Sequence, residues 1–208
     1  MDVGGTRYVP GYLDAAGQQT LLAALRAVLA GAPLYQPRMP RSGNPFSVKM
    51  TNCGPLGWVS DIDGYRYQPT HPETGVAWPP MPAIVLEAWA ALSGDARPPE
   101  ACLVNYYAPD TRMGSHQDKD EADFSAPVVS LSLGDAALFR IGGVKRSDPT
   151  RSLRLSSGDA VVLGGESRLA FHGVGRIING TSALLTEGGR FNLTLRRVTP
   201  SRNQSVTV

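Results

Sequence analysis

Two stretches of the chain repeat apolar residues at helical spacing. Leu21, Leu22, Leu25, Val28 and Leu29 make one stripe, the pattern of a helix that buries a single face. Asp14 stands where a carboxylate can cap the first turn and Gly31 where the helix can stop, so a helix is predicted to about residue 30. Ile84, Val85, Ala88, Trp89 and Leu92 make a second stripe, which Pro82 opens and Gly94 closes. Both read as packing elements rather than as carriers of chemistry.

Between them, residues 33–82 are rich in Pro, Gly, Tyr and Trp and lack helical period, which predicts hairpins and loops of the kind that build adaptable binding surfaces. From residue 101 the chain changes to short runs with strand character. They occupy 101–107, 128–133, 136–141, 152–155, 160–163, 169–174 and 190–198, bounded by turn residues such as Ala108-Pro109-Asp110, Gly134-Asp135 and Gly188-Gly189. Many short strands in succession predict a sandwich or jelly roll rather than a parallel α/β sheet. Residues 199–208 read as a loose tail.

Composition adds bounds. A chain of 208 residues, 42% hydrophobic and 18% charged, suits one folded domain and argues against disorder. No apolar run reaches the ~18 residues of a membrane span. Met1-Asp2-Val3-Gly4-Gly5 is not the basic-then-apolar start of a secretory signal, so a cytoplasmic location is expected. Cys53 and Cys102 lack CxxC spacing, which speaks against a zinc ribbon or a disulfide framework; both are expected as reduced thiols, Cys102 in the core. The net charge is only +2, but no acidic residue lies between Asp14 and Asp61, where Arg26, Arg38, Arg41 and Lys49 fall. A second basic run holds Lys145, Arg146, Arg151 and Arg154. Charge alone favours solvated faces over a polyanion track.

The candidate chemistry lies in His116-Gln117-Asp118 and His172. On an extended backbone residues two apart leave the same face, roughly 6.6 Å apart at Cα, so His116 and Asp118 can converge on one metal. Two histidines and one carboxylate are the facial-triad ligand set for ferrous iron. In the run 190–196 strict alternation puts Arg190, Asn192, Thr194 and Arg196 on one face and Phe191, Leu193 and Leu195 on the other. Period alone would make this an outer strand with a solvated face. Yet a guanidinium fork also grips carboxylates through paired charged hydrogen bonds, and Asn105 and Tyr107 supply a second alternating polar pair. A metal triad beside a carboxylate clamp implies an oxygenase using iron and 2-oxoglutarate.

These residues carry a resemblance. From about residue 50 to 196 the chain resembles the AlkB family of iron(II)- and 2-oxoglutarate-dependent oxidative demethylases, its bacterial branch in particular. The matches are Met50-Thr51-Asn52-Cys53-Gly54 with Leu56-Gly57-Trp58, Asn105 to Pro109, His116 to Glu121, Gly164-Gly165-Glu166-Ser167-Arg168 leading to His172, and the Arg-x-Asn-x-Thr-x-Arg strand. The resemblance implies a double-stranded β-helix with an N-terminal substrate-binding lid, mainly β with flanking helices. It assigns His116, Asp118 and His172 to iron, and Asn105, Tyr107, Arg190, Asn192 and Arg196 to 2-oxoglutarate, with Arg190 at the distal carboxylate. It points to Trp58, Tyr65, Tyr67, Asp120 and Arg146 for substrate. Residue types agree: an aromatic ring gives an unpaired base a stacking surface worth ~1–3 kcal/mol, and the Asp120 carboxylate suits a base made cationic by methylation. Tyr106 stands where bacterial relatives often carry arginine, and Leu163 where tryptophan is common.

The expectation is therefore one domain, 1–208, with the lid over about 33–82 and the jelly-roll core over about 101–198. It would be a monomer that demethylates bases of the 1-methyladenine and 3-methylcytosine type in DNA, single-stranded by preference, with RNA as a further substrate and no membrane partner. The alternatives are an oxygenase of the same chemistry acting on modified RNA or a protein side chain, and a non-catalytic β-barrel that binds nucleic acid.

Overall fold

The computed structural model describes residues 2–3 and 5–200, with side chains from Gly5 onward. Strands β1 (Asp2–Val3) and β2 (Thr6–Val9) precede helix α1 (Ala15–Gly31), followed by β3 (Lys49–Cys53) and by β4 (Gly57–Asp61) and β5 (Gly64–Gln68). After α2 (Ala83–Leu92) come β6 (Ala101–Tyr107), β7 (Met113–His116), β8 (Val128–Gly134), β9 (Ala136–Ile141), β10 (Arg151–Leu155), β11 (Ala160–Leu163), β12 (His172–Ile178) and β13 (Arg190–Arg196). A seven-stranded sheet runs β1-β2-β11-β8-β13-β6-β3, a four-stranded sheet β10-β9-β12-β7, and β4-β5 is a separate hairpin. Consecutive strands such as β8 and β9 lie in different sheets, which is the jelly-roll arrangement the strand pattern predicts.

Both helices cover one face of the large sheet. Leu21, Leu25 and Val28 of α1 and Val85 and Trp89 of α2 are buried with Val129, Leu131, Leu193 and Leu195. The opposite face turns toward the small sheet, where Val128, Phe139, Leu155, Val161 and Val174 form a second cluster. Strand β13 is thus covered on both sides, and the solvated face that its period suggested does not exist.

The Asp14 carboxylate accepts from the Gly17 N–H at 2.7 Å, capping α1 as expected. The end of α1 differs: Gly31 stays within the helix and Ala32 leaves in extended conformation, φ −135°, because Pro33 follows and disfavours a helical residue before it. Strand β12 starts at His172, not at 169. The residues ahead of it form a 3-10 turn, Gly165–Ser167, and then Arg168 is drawn inward by the carbonyls of Ala126 and Asp118. Strands β1, β2 and β7 are additions to the predicted set, each too short for a period to register. Strand β3, from the stretch predicted as hairpins and loops, joins the large sheet beside β6. Thr199, predicted as tail, is held by the Glu100 carboxylate; residues 201–208 lie outside the described residues.

Cys53 and Cys102, far apart in sequence, are direct cross-strand partners, both buried and free. Gly57, at the foot of the hairpin, is required by close approach: an added Cβ would lie 2.4 Å from Trp78 Nε1 and 2.7 Å from Asn52 Cβ. Gly57→Ala is expected to cost ~1–3 kcal/mol by overpacking, read as a lower urea midpoint with an unchanged slope.

Candidate active site

The two sheets enclose a cavity of about 570 Å³, and every site residue singled out from the sequence lines it. The small sheet contributes the histidines. His116 ends β7, His172 begins β12, and the two are register partners, their ring centroids 4.5 Å apart. Asp118 lies two residues beyond the end of β7 rather than on an extended strand. Its backbone is held instead by neighbours: Gln117 donates to the carbonyls of Val144 and Leu169, and Arg168 Nη1 to the Asp118 carbonyl at 2.7 Å. At Gly173 an added Cβ would fall 2.7 Å from the Met113 carbonyl oxygen. Glycine there permits the close strand approach that aligns His172.

His116 Nε2 lies 3.8 Å from Asp118 Oδ1, and His172 Nε2 lies 3.8 Å from Asp118 Oδ2. One donor atom from each of the three falls within 4.8 Å of the others. Each histidine Nδ1 is 2.9 Å from a backbone carbonyl, that of Gly114 for His116 and of Ala170 for His172. Such a contact fixes the tautomer with the proton on Nδ1 and leaves Nε2 a lone pair for a metal. Burial lowers the His172 pKa, favouring the neutral ligand form. Burial alone would raise the Asp118 carboxyl, but Arg196, then His172 and His116, more than offset it and hold the group below the ordinary carboxylate range. Two imidazole nitrogens and one carboxylate in this geometry fit a ferrous ion.

The large sheet contributes the polar side chains that the sequence suggested as a clamp. Arg190 is opposite Tyr107, and Asn192 opposite Asn105, across β13 and β6. Arg190 is 1% exposed, and among the described residues no carboxylate lies within ion-pair distance of it. Its Nη1 donates weakly to the carbonyls of Asp135 and Leu155 at 3.3 and 3.4 Å, Nη2 donates to Ser132 Oγ, and Nε has no partner. Burial brings its pKa down to about 10, so it stays cationic at neutral pH. A buried cation without a counter-ion is costly, and a carboxylate ligand would offset that cost. Asn105 Oδ1 is likewise without a partner, whereas Asn192 Nδ2 donates to Ser130 Oγ at 2.6 Å. Arg196 Nη2 lies 2.9 Å from Asp118 Oδ2 and its Nε 3.3 Å from Glu121 Oε1. Neither Nε, whose contact with Glu121 is off the hydrogen-bond axis, nor Nη1 makes a hydrogen bond.

At the mouth, Trp58 and Tyr65 of the hairpin stack with centroids 5.5 Å apart and planes at 19°. Trp58 Nε1 donates to Asp120 Oδ2 at 2.7 Å, tying the aromatic wall to the acid. Phe46 meets Trp58 edge-on, while the His116 ring packs with His172. The Tyr67 hydroxyl donates inward to Glu121. Arg146 sits 4.6 Å over the Phe171 ring and reaches the Ser115 carbonyl. Arg112 and Lys119 add exposed positive charge to the lining.

Sequence reasoning passed over several contributors. Ser130 and Ser132 alternate along β8 and hold Asn192 and Arg190; their period-2 spacing was a usable signal. Glu121 and Arg168, both buried, stood unassigned within the quoted motifs. Leu163 and Phe139 line the cavity, so Leu163, read from the sequence as a core difference, shapes the site itself.

Comparison with known proteins agrees with this geometry. The 2OG-Fe(II) oxygenase superfamily matches residues 5–196. The alpha-ketoglutarate-dependent dioxygenase AlkB homolog of Caulobacter vibrioides is 56% identical over 188 residues, covering 90% of this chain and 85% of that protein. AlkB of Escherichia coli, also named an alpha-ketoglutarate-dependent dioxygenase, is 44% identical over 183 residues, covering 86% and 84%. The solved structure of OsALKBH1 superposes with a TM-score of 0.78 at 31% identity, covering 95% of this chain and 98% of that one.

Proposed function

Because this chain belongs to the AlkB dioxygenases of the 2OG-Fe(II) oxygenase superfamily, enzymes that use iron(II), 2-oxoglutarate and oxygen, we propose that it repairs N-alkylated DNA bases by oxidative demethylation. His116, Asp118 and His172 would hold the iron. An iron ion and oxygen bound there would supply the oxidising chemistry: 2-oxoglutarate would lose its C1 carboxyl as carbon dioxide and become succinate with one oxygen atom, while the other oxygen hydroxylates the N-methyl carbon, which then leaves as formaldehyde as the base nitrogen takes back a proton.

The chain's own residues do the rest. Arg190 receives the distal carboxylate of 2-oxoglutarate, and Arg196, Asn105, Tyr107 and Asn192 orient the remainder. Trp58 gives a flipped base its stacking face, with Tyr65 moving from its own stack to admit it. Asp120 accepts from an exocyclic amine and favours a cationic base such as 1-methyladenine or 3-methylcytosine. Arg146 and Tyr67 complete the substrate contacts, and the exposed cations at the mouth suit phosphates. The carrying observation is that one cavity contains both the donor cluster and the buried Arg190 guanidinium, whose Nε makes no hydrogen bond, under an aromatic wall. The reading extends to a monomer acting on single strands, since an already unpaired base avoids the cost of extrusion.

The purified protein with iron(II), ascorbate and 2-oxoglutarate is expected to release formaldehyde from single-stranded DNA containing 3-methylcytosine; none released would sink the proposal. Asp120→Ala should lower kcat/KM about tenfold to a hundredfold, the scale of a lost charged hydrogen bond, with succinate formation in the absence of DNA unchanged. Methylated RNA and peptide in the same assay separate the alternative substrates, and metal-dependent succinate formation excludes a catalytically silent barrel.

A further inference from the structure

Asp118, Asp120 and Glu121 sit within four residues, yet their surroundings differ sharply. Asp120 is exposed and meets Trp58. The Glu121 side chain is 2% exposed and meets three donors. Its Oε1 accepts from the Tyr67 hydroxyl and lies 3.3 Å from Arg196 Nε, while Oε2 accepts from Arg168 Nη2 at 3.1 Å. Arg168 in turn holds the Asp118 carbonyl. Both carboxylate oxygens are therefore occupied, which leaves Asp120 rather than Glu121 to meet a base.

The consequence falls on Arg196. That guanidinium stands between two acids, Nη2 beside Asp118 and Nε beside Glu121. Guanidinium and carboxylate favour a two-point fork when nothing opposes it. A fork onto Asp118 would occupy both of the oxygens that face the histidines. Glu121 draws the Nε edge the other way, so that Asp118 is met at one point only. Arg196 Nη1 remains buried and without a hydrogen bond, on a residue that lines the cavity.

We propose that Glu121 is a positioning residue that orients Arg196, keeping Asp118 available to the metal and Nη1 available to 2-oxoglutarate. This rests on the reading above that Arg196 serves the cosubstrate. Glu121 touches neither substrate nor metal. It acts through the arginine, and Tyr67 and Arg168 hold it in place.

The test is calorimetry on the full chain, titrating Mn(II) and then 2-oxoglutarate without oxygen, so that binding is read apart from turnover. Glu121→Gln keeps shape and removes charge. It is expected to weaken Mn(II) and 2-oxoglutarate binding about tenfold or more, within the ~10–100-fold range for partners of metal ligands. Glu121→Asp keeps charge but withdraws it by one methylene, and should weaken both about threefold to tenfold. In steady state with iron, KM for 2-oxoglutarate should rise by a larger factor than KM for the methylated oligonucleotide, which Glu121 reaches only through Tyr67; a merely structural role would move both alike. Parent-like affinities, within twofold, in folded Glu121→Gln would overturn the proposal, and if that variant does not fold, the same result in Glu121→Asp decides. A parent protein that binds Mn(II) but no 2-oxoglutarate would overturn the reading of Arg196 beneath it, a different outcome from unaffected variants.

Discussion

Replacing Asp118 by alanine is expected to leave no measurable formaldehyde or succinate and to weaken metal binding beyond the ~10–100-fold typical of losing an outer partner. Asp118 is the only anion of the donor cluster, and with neutral imidazoles it alone offsets the charge of a divalent ion. It also faces Arg196 Nη2 at 2.9 Å. Alanine would therefore leave a buried guanidinium with Glu121 as its remaining acid and place a metal beside that cation. Asp118→Asn should fail equally, because the amide keeps the shape but loses the charge. Mn(II) calorimetry read beside the formaldehyde assay checks both variants, and retained turnover in Asp118→Ala would sink the triad assignment.

The second large effect concerns Arg190, where affinity and stability should separate. On the proposed assignment, Arg190→Met removes the grip on the distal carboxylate. Losing one partner of a buried charge pair costs ~2–5 kcal/mol, so the KM for 2-oxoglutarate should rise roughly thirtyfold or more. The ligand-free protein should not suffer. Arg190 is 1% exposed, lacks an acid partner among the described residues, and is already pulled down to about 10 by burial. Replacing buried ion pairs by apolar side chains of similar volume is often neutral or stabilising because desolvation is costly, and the same desolvation is relieved when the lone Arg190 charge is removed. Thermal unfolding should thus show a melting temperature equal to or above that of the parent without ligand. The rise in melting temperature that 2-oxoglutarate gives the parent should be lost. A ligand-free melting temperature well below the parent's would mean that Arg190 serves the fold rather than the clamp.

Much of the fold was legible. The stripes around Leu25 and Trp89 predict both helices because burial on one face imposes the 3.6-residue period. Strands β6, β9 and β11 match their predicted bounds because each lies between turn residues and carries apolar side chains to a core. What escaped was short or depended on distant partners. Strand β2 is stable because β11 supplies its hydrogen bonds, a fact absent from Thr6 to Val9 themselves. The start of β12 shifts to His172 because Arg168 is drawn to carbonyls 42 and 50 residues away.

The site divides along the same line. The sequence by itself determined which side chains are present: two histidines and an aspartate able to ligate a metal, an Arg-x-Asn-x-Thr-x-Arg strand able to grip a carboxylate, and aromatics able to stack on a base. Residue type sets protonation, ligand softness and hydrogen-bonding capacity, and these travel with the chain. Only the tertiary structure decided which of those groups share a cavity and which neighbour neutralises which. It made His116 and His172 register partners, gave Arg196 two acids in contact and Arg190, among the described residues, none within ion-pair distance, and turned Asp120 outward and Glu121 inward. Electrostatics depends on separation in space and on burial, and in a jelly roll where strands adjacent in sequence, such as β8 and β9, fall in different sheets, neither can be read from separation along the chain.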